Sequence, residues 1–511
     1  MRSIISRSPS LFFAVLLSLI AIVAAYLVAV RVFERMPHIE DEIAYVWQAQ
    51  VMAHGRLTMP TPAHPESFLV PFVVDYQGQR FGKYPLGWPA ALAVGVFLGA
   101  RDWVNPLLAG LGIWLTYKLG KRLFGETVGL LAAGLTLTSP FFLINSGSLL
   151  SHPLGLVLST AFALTWLDAW EDACHHPWLS AITSALCLGV LALTRPMTAV
   201  GVLLPFLPHA AIVWFRKSWQ ERRRMLVFGL VVLALVLLTF IWQYAETGDP
   251  LFNTYSLWWS YDKVGFGPGV GRLPGGHTLN QARINTDFSL WVGWHDYFGW
   301  GSYSWLFLPL GVLGLWRSRQ VKALPIFGVF PSLVVVYLAY WIGSSLFGPR
   351  YFYEGFYSLT LGSALGIAYL AGWPIRPGET WPTYSGKRRL QPLLVTALLT
   401  LLLSANLLFY TPLRLQSMHG LYGINRARLQ PFLAAQAQGL TPALVIVHPG
   451  IWTEYGSLLE LTDPFLDTPF LLVISVGSSA DAAVAADYVT QRNIYYYYPD
   501  HPWMFYKTPL P

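Results

Sequence analysis

The chain has 511 residues, 54% of them hydrophobic and only 12% charged, with a net charge of +7. Soluble domains carry about 25% charged residues, so a mean hydropathy of +0.47 excludes an ordinary water-soluble globule and points to a polytopic membrane protein. Two cysteines exclude a disulfide framework, and the positive balance reads as membrane orientation charge rather than as nucleic-acid binding.

In chain order, a hydrocarbon core needs roughly 20 apolar residues per helix, and the first such segment is 10–33. The densest acidic cluster, Glu40-Asp41-Glu42, follows it at the membrane surface. The residues after the cluster can run as a helix, in which Asp41, Tyr45 and Gln48 fall at i, i+4 and i+7 and share one face. The stretch YPLGWPAALAVGVFLGA (84–100) is apolar but short and rich in Pro and Gly, so it reads as an interfacial or re-entrant helix. Ten further spans are expected at 104–119, 126–144, 152–170, 178–194, 197–215, 225–244, 303–317, 323–343, 356–373 and 390–410. With 10–33 they make about eleven transmembrane helices.

Charge tests that layout. With the N-terminus cytoplasmic, the inner connections hold Arg2, Arg7, Lys118, Lys121, Arg122, Arg216, Lys217, Arg222, Arg223, Arg224, Arg317, Arg319, Lys322, Arg376, Lys387, Arg388 and Arg389. These are 17 of the 33 basic residues, as the positive-inside rule requires. The inner turn from Trp170 to Pro177 is the exception, with acids but no Lys or Arg. The long connections then lie outside: loops 34–103 and 245–302, and the tail 411–511. The 22 Trp and 26 Tyr suit a protein with many membrane–water interfaces.

The tail has its own texture. ALVIVHPG (443–450), PFLLVISVG (469–477) and NIYYYY (493–498) read as strands, with a helical SADAAVAADYVTQ between the last two. The alternation predicts a small extracytoplasmic α/β domain over 411–511, behind an all-α transmembrane domain over 1–410.

Several outer residues carry chemistry. The acidic cluster is either a solvated juxtamembrane face or a source of a general base, since a carboxylate can take the proton of an attacking hydroxyl or amine. His152 starts a span on the outer side, where it either makes a local hydrogen bond or binds substrate. Arg350 either grips a phosphate with its fork or pairs with Glu354 four residues on. Arg195 has interfacial snorkelling as its default reading. The glycine-rich stretch 261–288 matches neither a P-loop nor a dinucleotide-binding turn. It is expected to be a mobile loop over the site, with His277, Asn280 and Asn285 as acceptor contacts. Cys174-His175-His176 cannot all face one ion from a helix, so no metal is assigned there.

DEIAYVWQAQVMAHGRLTMP (41–60), followed by FGKYPLGWP (81–89), resembles the start of the GT-C superfamily of integral-membrane glycosyltransferases, in its protein O-mannosyltransferase and lipid A aminoarabinose transferase branch. GKRLFGETVGLLAAGLTLTSPFF (120–142) is similar to the second and third helices of that fold. The resemblance covers residues 1–200 closely and the rest in layout. It implies transfer of a sugar from a polyprenyl-phosphate carrier to a glycan, lipid or protein acceptor on the extracytoplasmic face. It also implies Asp41 and Glu42 as catalytic carboxylates, with Tyr45 in the same motif, and Lys83 as the cation on the donor phosphate. Beside these, Tyr45 and Arg350 are expected at the donor phosphate, and His152, Tyr84 and His277 are expected as further donor or acceptor contacts. Three positions depart from the family's pattern: Ala44 replaces an arginine, Gly82 an acid, and residues 145–155 offer Ser151 and His152 in place of another acid. No cofactor is required, although a divalent metal is compatible with the sequence. The expected setting is a bacterial plasma membrane, with the C-terminus outside. The alternative function is a transporter or flippase for a lipid-linked glycan. It predicts inverted repeats and ionisable residues inside spans, and neither is legible here.

Overall fold

The computed structural model of the protein describes residues 9–171, 174–382 and 390–510. Of the inner charges, Arg2, Arg7, Lys387, Arg388 and Arg389 lie outside this range. Every expected apolar segment contains α-helix. They form α1 (Pro9–Arg31), then α4 (Val104–Phe124), α5 (Glu126–Leu137), α6 (Pro140–Gly147), α7 (His152–Ala169), α8 (Pro177–Thr194), α9 (Pro196–Leu203), α10 (Leu207–Arg216) and α11 (Trp219–Thr247), then α13 (Leu308–Ser318), α14 (Leu324–Tyr337), α15 (Phe356–Ala371) and α16 (Leu390–Ala405). Between them lie three helices outside the expected spans: α2 (Glu40–Ala53), α3 (Gly87–Phe97) and α12 (Leu279–Asp296). By length and composition five helical stretches among the described residues can cross a membrane alone, and a bent pair makes a sixth. The others reach less than full apolar length. At 1.5 Å per residue α3 is about 17 Å long, too short for a hydrocarbon core of about 30 Å.

Three expected segments depart from simple spans. The segment 126–144 is two helices, α5 and α6, meeting at 61°. Pro140 has no N–H to continue the ladder, and Ser139 caps α6 by accepting from the Phe142 N–H at 3.2 Å. The broken ladder leaves the Thr138 carbonyl without its helical partner. Asn406 serves it, donating from Nδ2 at 2.6 Å. Asn406 opens a wide π-helical turn (Asn406–Tyr410), and its Oδ1 accepts from Thr411 Oγ1 at 2.7 Å. A Cβ at Gly299 would collide with that Oδ1, which accounts for the glycine there. The segment 303–317 becomes α-helical only at Leu308, and 323–343 stops being α-helical after Tyr337, so residues 341–345 are free to form the wall of a cavity. Where helices cross most closely the side chains vanish. Gly129 lies against the backbone of Tyr117 and Lys121, and Gly366 lies against the carbonyl of Phe307.

The long connection 34–103 is more ordered than its sequence suggested. Three short strands, β1 (Met59–Pro60), β2 (Val73–Tyr76) and β3 (Gln79–Gly82), form an antiparallel sheet in the order β1-β3-β2. β2 and β3 are joined by the two-residue turn Gln77-Gly78, whose φ values of 50° and 78° give the twist that hairpins favour. At the end of β3 the Gly82 N–H donates to Gln48 Oε1 at 2.7 Å, pinning the strand onto α2. A side chain at Gly82 would crowd that same oxygen at 3.3 Å.

The expected tail strands are present as β4 (Ala443–Val447), β5 (Phe470–Ile474) and β6 (Asn493–Tyr497), joined by β7 (Phe505–Tyr506), in the order β5-β4-β6-β7. β5 and β6 run parallel to β4, which is buried along its whole length. A helix, Ser478–Tyr488, connects β5 to β6 as the sequence predicts. This sheet rests on the first loop. Phe68 packs among Leu444, Ile446, Leu471 and Val473, the Ile474 N–H donates to the Ser67 carbonyl at 2.8 Å, and Arg101 pairs with Glu460 at 2.9 Å.

Beyond α16 the chain is tied back by Arg414, whose guanidinium grips both oxygens of buried Asp296 at 3.1 to 3.2 Å while donating to the Leu346 carbonyl at 2.7 Å. Tyr410 donates to the same carboxylate at 2.8 Å. Removing one partner strands the other charge, so Arg414→Ala should cost about 3 kcal/mol of stability. Thermal unfolding in detergent, followed by tryptophan fluorescence, checks it. A melting temperature equal to that of the wild type would show that the pair contributes little.

Candidate active site

A cavity of about 620 Å³ opens where the first loop, the 253–272 stretch and the segments at 194–197 and 337–351 come together. Each of its ionisable groups is placed by a local feature of the fold. Glu40, Asp41 and Glu42 form the first turn of α2, where the partial positive charge of the helix end favours carboxylates. That is the structural reason for an acidic cluster beside a membrane, but the three side chains then part ways.

Asp41 faces the cavity. Its Oδ1 accepts from the Tyr84 hydroxyl at 2.7 Å, and its Oδ2 lies 3.5 Å from the Arg350 guanidinium. Burial opposes ionisation, but Arg350, the Tyr84 hydroxyl and Lys83 together outweigh it and hold the carboxyl below its ordinary value. Glu42 turns inward instead. It accepts from the His38 and Leu149 amides, both at 2.7 Å, and is absent from the cavity wall. Burial pushes its carboxyl up to about 7 against those two donors. Glu40 also lines the cavity.

Lys83 follows directly on the pinned end of β3. Its ammonium sits 3.0 Å from Asp262 Oδ2, with both side chains almost wholly buried. Four rings surround it, with centroids at 3.8 Å (Phe72), 4.8 Å (Trp259), 5.1 Å (Tyr255) and 5.4 Å (Tyr84). Burial lowers its affinity for the proton, and Asp262 is the main opposing influence. Asp262 is in turn fixed by the Trp341 indole, which donates to Oδ1 at 3.0 Å.

Arg195, expected to snorkel at the interface, points into the cavity wall. Its Nε lies 3.0 Å from Glu354, NH1 donates to Ser151 Oγ and NH2 to the Tyr337 hydroxyl, both at 3.2 Å. His152 Nδ1 approaches the same Glu354 oxygen at 3.1 Å. A side chain at Gly155 would overlap Glu354, so the glycine makes room for it. Burial lifts the Glu354 carboxyl to about 7, against the pull of Arg195. Glu354 therefore partners Arg195 and His152, and the sequence alternative of an Arg350–Glu354 pair gives way to Arg350–Asp41.

Of the residues singled out in the sequence, Asp41, Tyr45, Lys83, Tyr84 and Arg350 meet in one cavity. Glu42 and His152 stand behind its wall. His277 is buried elsewhere, its Nε2 donating to the Leu338 carbonyl at 2.9 Å and its ring stacked on Phe266. It lines a separate cavity of about 250 Å³ together with Asn285, while Asn280 lines neither. The 261–288 stretch is tied down by backbone bonds from Gly265 to Ala339 and from Gly267 to His277, both at 2.8 Å. Sequence reasoning missed Asp262 and gave Arg195 a snorkelling role in place of its pairing with Glu354. Signals existed, in a single acid within a loop of Trp, Tyr and Gly and in an arginine between two apolar helices, but neither shows its partner. Among the described residues no group of three or more His, Cys, Asp or Glu side chains is arranged to hold a metal ion.

No protein-family model and no curated protein sequence matches this chain. Solved structures share its fold. The ArnT of Cupriavidus metallidurans bound to undecaprenyl phosphate aligns with a TM-score of 0.58 at 12% identity, over 94% of this chain and 88% of that one. The same protein in the apo state gives 0.58 at 13% identity, over 95% and 89%. The apo oligosaccharyltransferase of Archaeoglobus fulgidus gives 0.50 at 11% identity, over 88% of this chain and 65% of that one. At these identities the likeness is one of fold, and the chain has the GT-C fold.

If Asp262 keeps Lys83 charged, Asp262→Asn should lower the pH at which Lys83 becomes reactive. Competitive labelling with acetic anhydride across a pH series, read by mass spectrometry, measures this. The Lys83 labelling curve should move to lower pH in the variant, and superimposable curves would remove Asp262 from that role.

Proposed function

We propose that the protein is a membrane glycosyltransferase that moves a sugar from a polyprenyl-phosphate carrier to an acceptor on the extracytoplasmic face of a bacterial plasma membrane. The observation that carries this reading is the convergence of Asp41, Lys83, Arg195 and Arg350, from four separate parts of the chain, on one cavity. That cavity also adjoins the bilayer. Thr239, Trp242 and Gln243 of α11 form part of its wall, while Leu237, Leu238 and Ile241 of the same helix are open to the outside. A headgroup can thus enter the polar end while its prenyl chain stays in lipid. The likeness in fold to a protein solved with undecaprenyl phosphate bound supports the same carrier class.

The chemistry follows from charge. A sugar phosphodiester carries one negative charge, and a second develops on the phosphate as the bond to the anomeric carbon breaks. Lys83 and Arg350 both line the cavity, where cations fixed by the fold can meet that charge with little reorganisation. The 3.5 Å contact between Arg350 and Asp41 is loose enough for an arriving phosphate to share the guanidinium fork. Asp41 stays ionised, faces the positive charge that builds at the anomeric carbon and orients the acceptor. Tyr84 and Tyr45 hold that end of the cavity. Glu42 acts on the start of α2, and His152 with Glu354 acts on Arg195, all three as positioning residues. Inversion at the anomeric carbon is what the resemblance implies. A divalent metal is compatible with this scheme but supplies no step in it.

The test uses purified protein in detergent with radiolabelled undecaprenyl-phosphate hexoses and pentoses. Asp41→Asn should cut turnover about 100-fold or more with the fold intact. Lys83→Met should weaken undecaprenyl phosphate binding about 10- to 100-fold, the equivalent of about 1.4–2.8 kcal/mol. Turnover by Asp41→Asn equal to the wild type would remove Asp41 from the chemistry, and unchanged affinity would remove Lys83 from the phosphate site.

A further inference from the structure

We propose that Glu40 is the general base of the transfer, receiving the proton of the acceptor's attacking hydroxyl or amine, while Asp41 remains an ionised anchor. This inference rests on the transferase reading and assigns its proton-transfer step. Three carboxylates crowd the first turn of α2, and the structure gives two of them fixed partners. Glu42 is bound to the His38 and Leu149 amides. Asp41 has one oxygen on the Tyr84 hydroxyl and the other toward Arg350. A proton arriving on Asp41 would disrupt the Tyr84 bond and forfeit the attraction of Arg350. Glu40 lines the same cavity, and no side chain among the described residues hydrogen-bonds or pairs with its carboxylate, which is approached by its own backbone amide. It is the one member of the cluster that lines the cavity without a side-chain partner.

The surroundings suit the role. Burial raises the Glu40 carboxyl above its ordinary value and Asp41 adds repulsion, opposed by its own amide, Arg350 and Lys83. Its neighbour Asp41 is displaced the other way. Two adjacent carboxyls driven apart divide the work, the stronger acid staying charged and the weaker one exchanging protons. The charged groups facing Glu40 are Asp41 on its own helix, Arg350 ahead of α15 and Lys83 after β3. When the donor phosphate engages Lys83 and Arg350, their pull on Glu40 weakens. The carboxylate then becomes a stronger base at the stage when the acceptor must lose its proton.

The step balances. The acceptor oxygen or nitrogen forms a bond to the anomeric carbon as its bond to hydrogen breaks, and the proton passes to Glu40. The bond from the anomeric carbon to the phosphate oxygen breaks, its electron pair remains on that oxygen, and polyprenyl phosphate leaves as the dianion. Protonated Glu40 then returns its proton to water.

Full-length protein in nanodiscs, supplied with radiolabelled undecaprenyl-phosphate hexoses and pentoses and with water as acceptor, provides the test. Undecaprenyl phosphate affinity is measured in parallel. Wild-type turnover should rise with pH through one ionisation above the ordinary glutamate value of 4.5. Glu40→Gln should lower kcat about 100-fold or more and abolish that limb, with KM and undecaprenyl phosphate affinity held within about twofold. Formate should restore part of the turnover of Glu40→Ala and none of that of Asp41→Ala. The inference is overturned if Glu40→Gln keeps turnover within about fivefold of wild type with the limb intact, or if formate rescues Asp41→Ala instead. Wild-type protein that binds undecaprenyl phosphate yet turns over none of the donors would overturn the transferase reading, and this inference with it.

Discussion

The part of this protein around the cavity is organised by the cost of withdrawing charge from water. Moving one ion into an apolar interior costs several kcal/mol even after relaxation, so a buried cation persists only beside an anion and hydrogen-bond partners. Three such pairs surround the cavity: Asp41 with Arg350, Lys83 with Asp262 and Glu354 with Arg195. Each joins residues far apart in the chain; Lys83 and Asp262 are separated by 179 positions. The loops hold their shape because each supplies half of a pair that the other half cannot do without. The cavity is what remains between them.

That principle explains what the sequence discloses and what it withholds. The helices are legible because a bilayer demands about 20 apolar residues regardless of the partners they find. Their irregularities are less so: Pro140 marks the bend after α5, but the partner that the bend requires, Asn406, is distant in sequence. The strands of the tail were readable as compact apolar runs, while those of the first loop, two to four residues long, were not. In the site, Asp41, Tyr45 and Lys83 stand in short motifs whose spacing carries meaning. Asp262 and Arg195 do not, since their importance lies in the partner, and a linear reading cannot show that Asp262 meets Lys83 or that Glu354 prefers Arg195 to Arg350. His277 was misplaced for a related reason. A polar residue in a glycine-rich outer loop resembles a substrate contact until the loop is seen to fold against the carbonyl of Leu338.

The acidic cluster shows how little of a residue's role lies in its type. Glu40, Asp41 and Glu42 share one helical turn and one favourable dipole, yet successive positions on a helix diverge by about 100°. One carboxylate is thereby turned into the protein to bind amides, one toward a guanidinium and a phenol, and one lines the cavity without a side-chain partner. Three equal charges in the sequence become a latch, an anchor and an unengaged group. The division is geometric before it is chemical.

The bend between α5 and α6 has a reach that its local geometry conceals. In an apolar medium a carbonyl released from a helix has no water to turn to, and here the amide of Asn406 meets that of Thr138 from 268 residues away. The wide turn that begins at Asn406 and the bare backbone of Gly299 beneath it are complements of the bend, three irregularities that close on one another. Such a set is one mechanical unit: straightening the α5–α6 break would remove the need for Asn406 and for a bare backbone at Gly299, and keeping the break requires all three together.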